Sequence, residues 1–262
     1  MALAWLASLA ALAASASWWA LTTATRWAPA PTTVWACAAA VMLVRRWAPD
    51  IYDVIIVRMT SRWYEEVLSR LPSDARLLDV GIGTGTALVR NVRAVRAKRL
   101  AVVGVDYEPS YVERCRANLE AAGLAPRCAV VCRSVFDADL ADAVNDASGA
   151  PRGSLFDAAY FSGSISLMPE PHVALQIAAR LVVPGGLVYV TQTFQRRDVP
   201  LLRLVKPALR LLTTIDFGKL TFEADVDDIV RRSGLQLVEK SVVPRSVDNA
   251  FQAAFVLVLR AP

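Results

Sequence analysis

The stretch Leu77-Leu78-Asp79-Val80-Gly81-Ile82-Gly83-Thr84-Gly85-Thr86 decides the fold. Leu77 to Val80 are apolar around a single acid, the pattern of a short strand covered on both faces. Three glycines follow at alternate positions, and Ala87-Leu88-Val89 then opens a helical pattern. Glycine at 81, 83 and 85 lets the backbone turn tightly and approach a ligand with no Cβ in the way. Twenty-one residues beyond Gly85, at the end of the next apolar run VVGVD, stands Asp106. A carboxylate at that point can accept both hydroxyls of a ribose, so the whole unit reads as a site for an adenosine-like nucleoside. It is not the dinucleotide fingerprint, because G-x-G-x-x-G requires glycine at 86, where this chain has Thr86. Asp79, two positions before the first glycine, suits a cation better than a pyrophosphate.

Outward from this unit the same alternation continues. Apolar, β-branched or aromatic runs at 76–80, 100–106, 128–132, 155–161 and 186–193 are bounded by turn residues and separated by helical patterns. Residues 50–71 read as an amphipathic helix ending at Pro72. A second helix starts at Ser110 with a capping box, Ser110-x-x-Glu113, and ends at Gly123. Another covers 172–182 and stops at Pro184-Gly185-Gly186, while 144–153 reads as a surface loop. Strand–helix alternation predicts an α/β fold, a doubly wound and mostly parallel sheet with helices on both faces. The last two strand candidates, 235–243 and 251–259, lie too close for a parallel crossover and are expected to pair antiparallel.

The 262 residues are 55% hydrophobic and 20% charged, which excludes a disordered chain. The apolar excess is concentrated in the first 48 residues, read as a domain apart from 49–262. Residues 1–49 hold no acid and three bases, Arg26, Arg45 and Arg46, leaving 26 bases against 24 acids in the rest. A nucleic-acid binder would carry its basic excess on the folded body, so no nucleic-acid partner is expected. Residues 1–25 are uncharged and long enough to cross a hydrocarbon core of about 30 Å as a helix. A second apolar run, 32–44, stops at Arg45-Arg46-Trp47. A retained helical membrane anchor is the leading reading, with the body facing the cytosol. A cleavable signal peptide (Ala14-Ser15-Ala16 as its cleavage site) and a transit peptide to plastid or mitochondrion are the alternatives. Cys37, Cys115, Cys128 and Cys132 match no zinc spacing, and His172 is the single histidine, so neither a metal site nor a Cys–His pair is expected.

With these residues in place, the chain resembles the class I S-adenosylmethionine-dependent methyltransferases. LLDVGIGTGTAL is similar to their first motif, GVDYE to the second, SVFDADL (134–140) to the third. FDAAYFSGSISLMPEP and the later RLVVPGGLVYVTQTF, within 156–194, resemble the fourth motif and the Pro-Gly-Gly turn before the fifth strand. The resemblance spans about 60–260 and implies a seven-stranded Rossmann-like sheet whose last strand is antiparallel. It implies S-adenosylmethionine as cofactor, with Asp79, Gly81, Gly83 and Gly85 around its amino-acid part and Asp106 on the ribose. Tyr107 and Asp137 would lie by the adenine, and Ser162, at the end of the fourth strand, would also be a cofactor-binding residue. Asp137 is equally well read as the N-cap of a helix over 138–145, and Tyr107 as a residue that only packs on the sheet.

The residues offer no convincing general base, since His172 reads as a surface or capping residue. An acceptor that is already nucleophilic, such as sulfur, nitrogen or a stabilised carbanion, is therefore favoured over a hydroxyl. Ser162-Gly163-Ser164 also lacks the N/D-P-P-Y/F pattern of amino-directed nucleic-acid methyltransferases. In 199–218, Arg203, Lys206 and Arg210 share one helical face opposite Leu202, Val205, Leu209 and Leu212, which reads as a membrane-surface helix interrupted at Pro207, or as an ordinary cover helix. Anchor and basic amphipathic helix together predict methyl transfer to a small, hydrophobic or membrane-associated acceptor: a lipid, a quinone precursor or a thiol. The rival is a non-catalytic, tethered binding or assembly protein. An oxidoreductase is disfavoured by Thr86 and by the lack of a Tyr-x-x-x-Lys pair.

Overall fold

A computed structural model of the chain describes residues 57–197 and 222–261, together with Trp35, Ala39 and Met42. The expected anchor over 1–48 and the amphipathic stretch 199–218 lie outside the described residues, apart from those three positions. Among the described residues no helix is long and apolar enough to cross a membrane.

Seven strands form one sheet, numbered in chain order: β1 (Arg76–Val80), β2 (Ala101–Asp106), β3 (Cys128–Cys132), β4 (Phe156–Ser162), β5 (Val182–Gln195), β6 (Gln236–Val242) and β7 (Gln252–Arg260). Their spatial order is β3-β2-β1-β4-β5-β7-β6. β7 runs antiparallel to both β5 and β6, and the other pairings are parallel. The α/β sheet expected from the alternation is thus present, with its one reversed strand where the short 243–251 connection requires it.

Alternate residues of each central strand feed two cores, which is why these strands read as unbroken apolar runs. Leu78, Val80, Val103, Val105 and Phe161 face one layer, with α5 (Leu140–Ser148), α6 (Pro171–Arg180) and α7 (Glu223–Ser233). Leu77, Val102, Ala158 and Tyr160 face the other, with α1 (Arg58–Arg70), α2 (Thr86–Arg90), α3 (Val92–Ala97) and α4 (Pro109–Ala121). α1 buries Trp63, Tyr64, Val67 and Leu68, one helical stripe laid across the sheet.

Three local expectations are corrected. The helix of the second motif begins at Pro109, with Glu108 as its N-cap, and Ser110 donates to the Glu108 side chain, so no capping box forms there. Proline at the first helical position, with its fixed φ, sets this start instead. The Pro184-Gly185-Gly186 turn lies inside β5, which begins at Val182. A register shift opposite it, between Phe156 and Ala158, absorbs the turn. Gly186 is required there because a Cβ would fall 2.9 Å from the carbonyl oxygens of Asp157 and Val183. Finally, α5 continues to Ser148 and ends on left-handed Gly149, so the expected loop is shorter than 144–153.

Candidate functional site

The strand order reverses between β1 and β4, whose neighbours lie on opposite sides, and open α/β sheets bind ligands at the carboxyl ends of such strands. The glycine turn leaves β1 there. Gly81 and Ile82 donate their N–H groups to the Val105 carbonyl at 2.7 and 3.3 Å, tying the turn to β2. Gly81, Gly83 and Gly85 all have φ between 61° and 79°, the left-handed region that side chains rarely enter. Their surroundings differ. A Cβ at Gly81 would lie 2.4 Å from Ser164 Cβ, and one at Gly85 would lie 2.6 Å from Cys115 Sγ. At Gly83 a Cβ would meet nothing within 4 Å among the described residues. Two of the glycines therefore admit protein close to the turn, while the third leaves an open face. Asn118 braces the turn from α4, donating to the Thr84 carbonyl at 2.8 Å.

Two carboxyl groups stand at the ends of the strands tied together by this turn, Asp79 in β1 and Asp106 in β2. Asp106 ends β2 with 8% exposure. Its Oδ2 accepts the Gly83 N–H at 2.9 Å and its Oδ1 the Glu108 N–H at 3.0 Å. Burial pushes its pKa up, against the opposing pull of those two backbone donors. Each oxygen keeps a second lone pair, the capacity a ribose diol needs. Asp79 is fully buried. Its Oδ2 accepts the Tyr64 hydroxyl at 2.6 Å, and its Oδ1 has no hydrogen-bond partner among the described residues. Burial drives its pKa up to about 7, with the Tyr64 hydrogen bond acting against that and the Asp106 charge adding to it.

Tyr64, on α1, meets the Tyr160 ring edge-on with centroids 5.0 Å apart. The Tyr160 hydroxyl lies 2.8 Å from Thr191 Oγ1 on β5. Ser164 donates to the Val80 carbonyl at 2.6 Å, so the loop after β4 closes on the end of β1. Left-handed Gly163 sits under Trp63, and the Gln192 side-chain oxygen nearby is buried without a donor among the described residues. Tyr64, Ser164 and Gln192 were not singled out from the sequence. Tyr64 belongs to a stripe that reads simply as core, and Ser164 lies in a stretch weighed only for a missing motif.

Of the expected site residues, Asp79, Gly81, Gly83, Gly85 and Asp106 come together in this crevice. Ser162 ends β4 opposite Thr191, and its buried hydroxyl has no hydrogen-bond partner among the described residues. Tyr107 follows Asp106 on the rim, with a side chain 74% exposed, so it does not pack on the sheet. Asp137 is exposed, and its Oδ2 closes a turn by accepting the Ser134 N–H at 2.9 Å. The N-cap of α5 is Asp139, which removes the capping reading of Asp137. His172 contacts Arg232 on the surface through Nε2. Among the described residues no group of three His, Cys, Asp or Glu side chains converges as a metal site.

The donor set needed by the crevice can be stated from these atoms. It offers an unpartnered buried carboxylate oxygen, a second carboxylate with spare lone pairs, and a glycine whose outer face is open. A ligand with an ammonium at one end and vicinal hydroxyls at the other satisfies all three, and S-adenosylmethionine has both.

The profile of the methyltransferase domain matches residues 44–240. The chain is 26% identical over 198 residues to the phosphatidylethanolamine N-methyltransferase of Cereibacter sphaeroides, covering 75% of this chain and 87% of that protein. It is 33% identical over 130 residues to 24-methylenesterol C-methyltransferase 2 of Oryza sativa subsp. japonica, covering 48% of this chain but 32% of that protein. Among solved structures, the [4+2]-cyclase SpnF superposes with a TM-score of 0.58 at 18% identity, covering 77% of this chain and 81% of that one. At that identity the likeness concerns the fold alone.

Proposed function

The chain belongs to the methyltransferase-domain family and is an S-adenosylmethionine-dependent methyltransferase acting on a small molecule, and from that premise we propose that its acceptor is a lipid or another hydrophobic, membrane-associated compound. The observation that carries the proposal is the similarity to a phosphatidylethanolamine N-methyltransferase over 75% of this chain and 87% of that protein. The acid-free, apolar first 48 residues support it, read as a membrane anchor with the catalytic body, 49–262, on the cytosolic side. The partial similarity to a sterol C-methyltransferase points to the same class of acceptor.

The cofactor supplies a methyl group already activated on a sulfonium. Asp106 would hold the ribose, Asp79 the amino-acid end, and the Gly83 backbone would lie against the ligand. Tyr107 and Asp137 remain the proposed adenine-side residues, and Ser162 a wall of the site at the end of β4. These groups orient rather than activate, and orientation alone can remove several kcal/mol of a displacement barrier. No described side chain near the crevice is placed to act as a general base: Asp79 is held by Tyr64, and His172 is committed to Arg232 on the surface. An amine, thiol or stabilised carbanion needs only desolvation and an exit for its proton, so such acceptors fit this crevice better than an unactivated hydroxyl.

The test is methyl transfer from isotopically labelled S-adenosylmethionine by the full chain in detergent. It is offered phosphatidylethanolamine vesicles, a hydrophobic quinone precursor, a sterol, a lipophilic thiol and soluble polar amines and thiols. Label recovered in the organic extract, on one of the hydrophobic acceptors, is the expected result. Label found only on polar acceptors overturns the proposal and leaves the enzyme class intact.

A further inference from the structure

Asp79 is fully buried, one of its oxygens is unpartnered among the described residues, and the described titratable side chains acting on it or facing it include no cation. From α1 comes Tyr64, from β2 Asp106, from β4 Tyr160, and from α4 and β3 Cys115 and Cys128. A carboxylate in such surroundings is unfavourable unless a ligand brings the positive charge. Among the described residues Tyr64 supplies the one direct hydrogen bond, at 2.6 Å to Oδ2, from a ring in edge contact with Tyr160.

We propose that Tyr64 is a positioning residue for cofactor capture: its hydroxyl pins one oxygen of Asp79 and holds the other toward the α-ammonium of S-adenosylmethionine. The proposal rests on the cofactor assignment and adds to it a role for α1, a helix outside the glycine motif and the strands that follow it. Because the Tyr64 hydroxyl donates to the charged form of Asp79, it also favours that form against burial. Cofactor capture is then linked to proton loss from Asp79. With Asp79 poised near neutrality, affinity falls as the carboxyl takes up its proton below about pH 7. It falls again above about pH 8, where an α-amino group loses its proton. The first limb belongs to the protein and the second to the ligand.

Titration calorimetry of the full chain in detergent from pH 5.5 to 8.5, with wild type and Tyr64→Phe, tests this. Two ligands are compared: S-adenosylmethionine and methylthioadenosine, which keeps the nucleoside and lacks the amino-acid end. The expected result is a bell-shaped affinity for S-adenosylmethionine in the wild type. In Tyr64→Phe the low-pH limb moves up by about one to two pH units, a roughly ten- to hundredfold loss at pH 6, while the high-pH limb stays in place. Methylthioadenosine is expected to bind both proteins alike at every pH. Equal weakening of both ligands by Tyr64→Phe, or a low-pH limb that does not move, overturns the proposal. Failure of both nucleosides to bind the wild type instead overturns the cofactor assignment beneath it. Should Tyr64→Phe not fold, wild-type protein made with fluorotyrosine, a stronger phenol donor, gives the second readout. The low-pH limb then moves down for S-adenosylmethionine, and an unmoved limb counts against the role of Tyr64.

Discussion

Replacing Asp79 with asparagine keeps the shape of the side chain and removes its charge, and the structure gives the expected sign and size. In the folded chain the Asp79 pKa stands at about 7 against an ordinary 3.8, chiefly because the group is sealed from water. Between those two values the native state binds the proton more tightly than the unfolded chain does, so stability falls as pH rises through that window. About three units at 1.36 kcal/mol each set a ceiling near 4 kcal/mol on the destabilisation present above pH 7. Asparagine has no proton to lose and still accepts from Tyr64. Its amide donors, however, would occupy the place of the unpartnered Oδ1 and offset about 1–3 kcal/mol of the gain. The ligand-free Asp79→Asn protein is therefore expected to be more stable than wild type by about 1–3 kcal/mol at pH 8, with most of that difference gone at pH 5. S-adenosylmethionine works against that order: at a hundred times its Kd it adds about 2.7 kcal/mol to the wild type and less to a variant that keeps the nucleoside contacts but cannot hold the ammonium. Urea unfolding at the two pH values, with and without the cofactor, measures all four quantities. A variant less stable than wild type by the same margin at pH 5 and pH 8 would refute the argument, since it would mean that Asp79 carries no burial strain.

Further expectations concern the turn, the thiols and one ion pair. Gly81→Ala, forced into the left-handed region and against Ser164, is expected to lose about 2–4 kcal/mol of stability. Gly83→Ala is expected to lose only about 1–2 kcal/mol while blocking nucleoside binding, a contrast that thermal unfolding and calorimetry read together. Burial pushes the Cys115 and Cys128 thiols up to about 12 and about 11, so maleimide at pH 7.5 is expected to label half-buried Cys132 well before either, as mass spectrometry of the peptides would record. Arg70 holds the Glu239 carboxyl down to about 2 through hydrogen bonds at 2.8 and 3.0 Å. With both groups partly exposed, Glu239→Gln is expected to lower stability at pH 7 by less than about 1 kcal/mol. That difference should shrink as pH falls from 4.5 toward 2, where the wild-type carboxyl also becomes neutral, and denaturant midpoints across that range check it.

Much of the sheet was legible because its strands are buried on both faces and bounded by glycine, proline or a charge. Leu77–Val80 and Val102–Val105 needed no partner to be recognised, and the 243–251 connection was too short for a parallel crossover. The Pro184-Gly185-Gly186 turn misled for a physical reason. Proline and glycine punctuate a chain in general, yet here the bulge opposite Phe156 and Ala158 lets the ladder run through them. Ser110-x-x-Glu113 misled similarly, since Pro109 one position earlier had already fixed the helix start. At the site, residues whose role is set by backbone geometry or strand position, Gly83 and Asp106, could be found from spacing. Tyr64 could not. Its hydroxyl reaches Asp79 only because α1 packs onto the sheet and brings together two residues fifteen apart in sequence, and nothing local separates a core tyrosine from one whose hydroxyl meets a buried acid.

The three glycines divide what a single motif seems to encode. Gly81 and Gly85 are required by the protein itself, since Ser164 and Cys115 occupy the space their side chains would need. Those contacts bring the β4 loop and α4 onto the turn, and Ser164 completes the closure through the Val80 carbonyl. Only Gly83 leaves room outward, and it is also the glycine whose N–H reaches Asp106. A Cβ at 83 would thus leave the packing of the turn almost unchanged while filling the open side of the residue whose N–H meets the carboxylate assigned to the ribose. A chain that kept glycine at 81 and 85 but carried a side chain at 83 would retain this architecture without room for the nucleoside. That makes position 83, rather than the motif as a whole, the residue to inspect when asking whether a fold of this kind has kept its cofactor.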